Sequence, residues 1–161
     1  MANASTTGFG LRPIKKVGQT DNVGALTEYS VAASSALISH AAMVQLTADG
    51  VVLASGNTDA NNLGTLNGVF YTDADTNKPT FANFSKASNT ATDIVAFVND
   101  DPRQVYEIMS ADTAFNQNEV GGCADQVAAV GTTPLFISKS KISATTGASI
   151  AQLKILGVSR D

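Results

Sequence analysis

The chain has 161 residues and a net charge of −4, enough for one domain with a substantial core. Only 15% of its residues are charged, whereas Ala, Ser, Thr, Gly and Asn fill 80 positions, which favours a loop-rich β fold with a polar, weakly charged surface. The ten Lys and Arg residues are spread along the chain and exclude a basic face for nucleic acid, the single cysteine excludes an intrachain disulfide, and no apolar run is long enough to span a membrane.

Residues 1–25 are predicted to form an extended N-terminal arm, and residues 26–161 the body. Arg12 precedes Pro13 and is therefore biased towards an extended conformation. A frayed terminus is one interpretation. Phe9 and Leu11 favour the other, an arm that becomes ordered on a neighbouring subunit, because a disordered tail has little use for apolar anchors. The predicted contact residues are Phe9, Leu11, Arg12, Pro13, Lys15 and Lys16. No signal-peptide pattern is recognised in the opening residues.

The first part of the body predicts a strand followed by a hairpin. Residues 25–32 alternate and predict a strand. Residues 34–46 also fit a helical spacing, with Ser34 as its cap. However, residues 43–48 alternate cleanly, and Asp49-Gly50 is a strong hairpin signal. We therefore predict a β-hairpin over residues 43–55, with any helix confined to a turn near 34–40.

The centre of the chain predicts a meander. A loop at 56–62 leads into the strand 63–72. The stretch 68–112 then packs four strand-like runs between polar breaks. Those runs are GVFYT, TFANFSK, DIVAFVN and RQVYEIMS.

The last third predicts shorter or less regular strands. After a polar connection at 113–118, residues 119–130 fit either a short helix or a bulged strand. Gly121-Gly122 would cost a helix about 2 kcal/mol relative to two alanines, which favours the irregular strand. Strands at 135–142 and 149–158 bring the total to between nine and eleven. This pattern predicts an all-β fold, a single antiparallel β-barrel or β-sandwich domain.

Candidate catalytic groups are few. His40 is the only histidine, and neither a G-x-S-x-G turn nor a local signature around Cys123 supports a nucleophile beside it. A structural histidine and a buried packing cysteine are the favoured interpretations.

The acidic residues are better explained as turn formers than as metal ligands or a catalytic pair. The loop 73–77 begins like a calcium loop, but Lys78 and Phe84 stand where that loop needs glycine and glutamate. Asp100 and Asp101 precede Pro102, as turn residues do. No catalytic residue, metal ligand or cofactor is therefore predicted, and a structural or binding role is favoured over an enzyme.

Six blocks, in order, resemble the small head decoration (capsid cement) proteins of tailed bacteriophages, particularly those of marine phages. They are MANASTTGFGLRPI, VQLTADGVVLA, the segment from GVFYTD through Lys78-Pro79 to Phe84, DIVAFVNDDPRQVYEI, VGGCAD and LKILGV. The chain departs from the family in lacking a tryptophan near residues 84–88 and in a shortened segment after Phe70.

The resemblance implies a virion protein on the outer surface of the capsid, made in the host cytoplasm. It would bridge neighbouring major capsid protein subunits and stabilise the shell, and would form a homo-oligomer, with a trimer favoured over a dimer. Three alternatives remain open: a tail or fibre component of the virion, a glycan-binding β module, and an enzyme centred on His40. The second would need exposed aromatic residues, and most of the ten aromatics alternate as core residues would.

Overall fold

The computed structural model describes residues 7–18, 25–32, 35–54, 61–111, 116–143 and 151–159. These residues form antiparallel β-sheets and one 3-10 turn at Gln117–Glu119, which confirms the predicted all-β class. The strands are β1 (Arg12–Lys16), β2 (Thr27–Ser30), β3 (Met43–Thr47), β4 (Gly50–Leu53), β5 (Asn62–Thr72), β6 (Pro79–Ala82), β7 (Val95–Asn99), β8 (Gln104–Glu107), β9 (Cys123–Ala124), β10 (Gln126–Val127), β11 (Lys141–Ile142) and β12 (Leu153–Lys154).

A six-stranded sheet forms the centre of the molecule, in the order β2-β7-β5-β3-β4, with β6 also paired to β5. The 11-residue strand β5 has β7 along one edge and both β3 and β6 along the other. The sheet is curled so that its two edges meet: Val31, just after β2, forms a bridge to Val51 of β4. A single bridge does not close a barrel, so the arrangement is best described as sandwich-like.

The main core lies on the inner face of this curled sheet. Val69 and Tyr71 of β5 point inward beside Ala96 and Val98 of β7, because side chains alternate between the two faces of a strand. The buried residues of this cluster are Ile38, Ala42, Val44, Val51, Leu66, Val69, Tyr71, Ile94, Ala96 and Val98.

A second layer covers part of the outer face. Strands β1 and β8 form a separate two-stranded sheet. Met43 and Val44 are neighbours on β3 and both are buried, so the sheet is covered on both faces at this point. Met43 packs with Leu11 and Ala54, and Tyr106 of β8 packs against them.

The described part of the predicted arm therefore lies on the body of its own chain. It is extended at β1, as expected, but β1 pairs with β8. The rest of the arm, at 1–6 and 19–24, lies outside the described residues. The division of the chain into an arm, residues 1–25, and a body, residues 26–161, remains a prediction.

The predicted meander is wrong in its pairing. Strand β6 ends at Ala82 and pairs with β5, whereas β7 pairs with the opposite edge of β5. Strand β8 leaves this sheet and pairs with β1. The connection at 83–94 reaches over the sheet instead of turning back at its edge, held by two backbone hydrogen bonds between Ile38 and Ser85.

The hairpin β3–β4 is confirmed, with Thr47 opposite Gly50. Its two turn residues are Ala48 and Asp49, one position earlier than the Asp-Gly signal predicts. No helix forms at 35–40. The possible Ser34 cap and residues 56–60 of the predicted loop lie outside the described residues.

The later strands are much shorter than predicted. Only Lys141–Ile142 and Leu153–Lys154 are extended pairs within the predicted strands at 135–142 and 149–158. Residues 136–138 bond instead to the backbone of His40. Residues 119–130 contain no α-helix, but in place of the one irregular strand that was favoured they form two two-residue strands, β9 and β10, in different sheets. A 3-10 turn capped by Asn116 precedes them and ends at Glu119. Residues 113–115 and 149–150 lie outside the described residues.

Candidate interaction surface

Leu11 is the predicted arm residue whose environment differs most from expectation. Its side chain is fully buried against Met43 and Ala54 of its own chain. In this structure it anchors β1 to the body and is not available to a partner. Phe9 is half-buried, with the Arg12 guanidinium 5.2 Å from its ring centre.

Two ion pairs fix the ends of β1. Arg12 pairs with Glu107, and the guanidinium holds the pKa of that carboxyl below its usual value. Lys16 lies 2.6 Å from Asp101, and the ammonium lowers the pKa of that carboxyl. Both cations were predicted as arm contacts with a partner, but each pairs with a carboxylate of its own chain.

In and just after β1, some exposed side chains were not among the predicted contact residues. Lys15 is exposed, and no carboxylate of the described residues pairs with it. Ile14 and Val17 are 42% and 55% exposed. Pro13 is half-buried. An interface role for the six predicted arm residues remains a prediction, and the exposed residues Ile14, Lys15 and Val17 are hereafter called the β1 surface.

Three phenylalanines form a cluster on the outer face of the curled sheet; two are exposed and the third, Phe97, is half-buried. Phe70 of β5 lies directly opposite Phe81 of β6. The rings of Phe81 and Phe97 are tilted, with centres 5.9 Å apart. Phe70 is 40% and Phe81 is 64% exposed. We call these three residues the aromatic patch.

Gly68 makes the patch compact. It is the register partner of Phe97, and the Phe81 ring extends over it, so that a Cβ at Gly68 would lie 3.1 Å from the ring. Without that side chain, the rings of Phe81 and Phe97 approach each other across β5. The sequence analysis assigned most of the aromatic residues to the core and therefore did not predict this patch.

Two acidic residues, Glu28 and Asp93, lie beside the patch. Glu28 of β2 is the register partner of Phe97 and is exposed, without an ion pair among the described residues. Asp93 precedes β7 and accepts hydrogen bonds from the Thr72 backbone N–H, at 3.0 and 3.1 Å. Hydrogen bonding to Thr72 lowers the pKa of Asp93, so its carboxylate is charged at neutral pH.

His40 lies beside a small cavity of about 160 Å³ between β1, β5 and the end of β7. Its Nδ1 is 2.9 Å from the carbonyl oxygen of Asn67, a contact that orients the ring. Asn99 also lines the cavity. Cys123, expected to be buried, is half-buried and lies on β9. We find no arrangement here that specifies a reaction.

The acidic turns behave largely as predicted. Asp73 accepts hydrogen bonds from the backbone of Asp75 and Thr76, and Asp101 accepts one from the backbone of Arg103. Asp100 differs from its predicted role, because its carboxylate accepts hydrogen bonds from the hydroxyls of Thr27 and Tyr29. Asp100 thus ties the start of β2 to the end of β7 instead of forming the turn.

Among the described residues, no group of three or more His, Cys, Asp or Glu side chains is arranged to hold a metal ion. Nor does that part of the chain contain a helix long and apolar enough to cross a membrane. Comparison with protein-family models, curated proteins and solved structures finds no match to this chain.

Proposed function

We propose that this protein is a capsid decoration protein of a tailed bacteriophage. The observation that carries the proposal is the series of six sequence blocks resembling that family, which follow in order along nearly the whole chain. The antiparallel β body and the exposed aromatic patch are compatible with a binding role.

In this role the protein attaches to the outside of an assembled head and bridges neighbouring major capsid protein subunits. Several weak contacts made at once hold such a protein more tightly than any one of them would. A low surface charge assists close packing, because copies repel one another little. Neither nucleic acid nor a cofactor takes part in this mechanism.

Binding of the purified protein to undecorated phage heads tests the proposal. We expect saturable binding, with copies distributed over the whole head at fixed lattice positions in an electron microscopy map. Decorated heads should also withstand a higher temperature before releasing DNA. Absence of binding, or a few copies at the tail, would contradict the proposal, and the second result would identify a tail or fibre component.

Removal of residues 2–17 is a poor test of the arm, because it also removes Leu11 from the core. Substitution of exposed residues is preferable. Lys15→Glu changes the charge of an exposed side chain and leaves Leu11 in place.

A glycan-binding module is the second candidate, and the aromatic patch is the observation that favours it. Exposed rings on a sheet face can stack on the apolar face of a sugar ring. Retarded migration in native gels containing soluble polysaccharide, lost in Phe81→Ser, would support this function over capsid decoration.

A further inference from the structure

The outer face of the six-stranded sheet has one covered half and one uncovered half. The β1–β8 layer covers the half around Met43. The other half contains the aromatic patch, with Phe81 64% exposed. Exposed apolar side chains clustered on one face of a sheet offer an area that a second apolar surface could cover.

The covered half shows what kind of surface fits this sheet. The apolar side chain that covers it is Leu11, just before β1. Two cations, Arg12 and Lys16, follow Leu11 in β1. The β1 surface presents a similar combination outward: Ile14 and Val17 are apolar and exposed, and Lys15 between them is an unpaired cation among the described residues.

The β1 surface and the aromatic patch are complementary in charge. One is apolar with a lysine, and the other is apolar with Glu28 and Asp93 beside it. Opposite charges at the edge of an apolar contact increase the association rate and select the partner orientation. Both surfaces belong to every copy of the chain.

We propose that copies of this chain associate head to tail, with the β1 surface of one copy against the aromatic patch of the next. Lys15 then lies near Glu28 of the neighbouring copy, and Ile14 and Val17 cover Phe70 and Phe81. A contact between two different surfaces closes into a ring when the rotation permits, which agrees with the expected trimer. This inference rests on the proposed function, because the homo-oligomer is expected only from the resemblance to decoration proteins.

Sedimentation velocity of single variants provides the first test. Phe81→Ser and Val17→Ser should each weaken self-association roughly thirtyfold or more, since each removes a central apolar contact. Leu156→Ser is the matched control, because Leu156 is 54% exposed but lies after β12, in another part of the fold. A wild-type chain that remains monomeric at millimolar concentration would overturn the inference.

Mixing the two variants distinguishes a head-to-tail contact from a symmetric one. Phe81→Ser retains an intact β1 surface, and Val17→Ser retains an intact aromatic patch. Together they share one intact contact, so the mixture should form dimers and nothing larger. If two aromatic patches met each other, Val17→Ser would instead assemble like the wild type, and this result would refute the proposal.

Charge reversal tests the partner assignment. Lys15→Glu should weaken association about tenfold, and Glu28→Lys in the same chain should restore it. Lack of rescue would show that these two residues do not meet. All three experiments are done without phage heads, so a monomeric protein that still binds heads would overturn this contact and leave the proposed function standing.

Discussion

At the scale of single residues, Leu11 contributes more to the fold than its position in the N-terminal segment suggests. It is fully buried with Met43 and Ala54, so Leu11→Ala should lower the free energy of unfolding by about 2–5 kcal/mol. Urea denaturation followed by circular dichroism measures this. Ile14→Ala, at a 42% exposed position of the adjoining strand β1, should change the value by less than about 0.5 kcal/mol. Equal effects of both substitutions would contradict the packing described here.

The ion pairs of β1 make stability depend on pH. The pKa of Asp101 is lowered by Lys16, and that of Glu107 by Arg12, so the folded state holds these protons less tightly than the unfolded state. Their stabilisation is present at neutral pH and is lost as the pH falls below about 5. In Asp101→Asn, the melting temperature should therefore fall less between neutral and acidic pH than in the wild type. An unchanged acid dependence would show that the pair with Lys16 does not stabilise the fold.

At the scale of elements, the central strand β5 depends on one close approach. A Cβ at Gly64 would overlap the backbone carbonyl oxygen of Asn99 on β7. Gly64→Ala should therefore push the two strands apart and cost about 1–3 kcal/mol, measured by thermal or urea denaturation. Gly157→Ala is the control, because a Cβ there would meet no atom within 4 Å. If both variants melt alike, the β5–β7 register is different from the one described.

The elements that the sequence predicted correctly are those defined by local signals. The hairpin β3–β4 follows from its alternation and from the turn residues beside Gly50, and β7 follows from its short apolar run. The β1–β8 pair could not be predicted, because Arg12 and Glu107 are 95 residues apart and no local pattern joins them. The prediction of two long strands at the end of the chain was wrong for a related reason. Their alternation is real, but the backbone of residues 136–138 is bonded to His40, which no neighbouring sequence specifies.

The candidate surface was predictable only in part. Alternation separates the two faces of β5 and of β7, but it does not tell which face another segment of the chain covers. That depends on where β1 and β8 pack, and they cover Met43 instead. For Leu11, the sequence indicated an apolar anchor, but it did not show that Leu11 packs against Met43 and Ala54 of the same chain.

At the scale of the whole molecule, protection should decrease from the curled sheet to the short strand pairs. Strand β5 is hydrogen-bonded on both edges, whereas β9, β10, β11 and β12 are two-residue strands. Amide hydrogen exchange should accordingly be slowest in β5 and β7 and fastest in the two-residue pairs. Mass spectrometry of exchanged peptides reads this order directly. Faster exchange in β5 than in β9–β12 would show that the sheet is not the stable centre of the fold.

The geometry of the β1–β8 pair also determines how the protein carries mechanical load. The two strands are antiparallel, with Arg12–Glu107 near one end of the ladder and Lys16–Asp101 near the other. A force that pulls β1 along its own axis acts in shear, so it stretches the ladder hydrogen bonds and both ion pairs together. A force that lifts β1 away from β8 breaks the same bonds one after another. If a partner binds β1, the β1–β8 pair therefore withstands the largest pulling force when that force acts parallel to the strand.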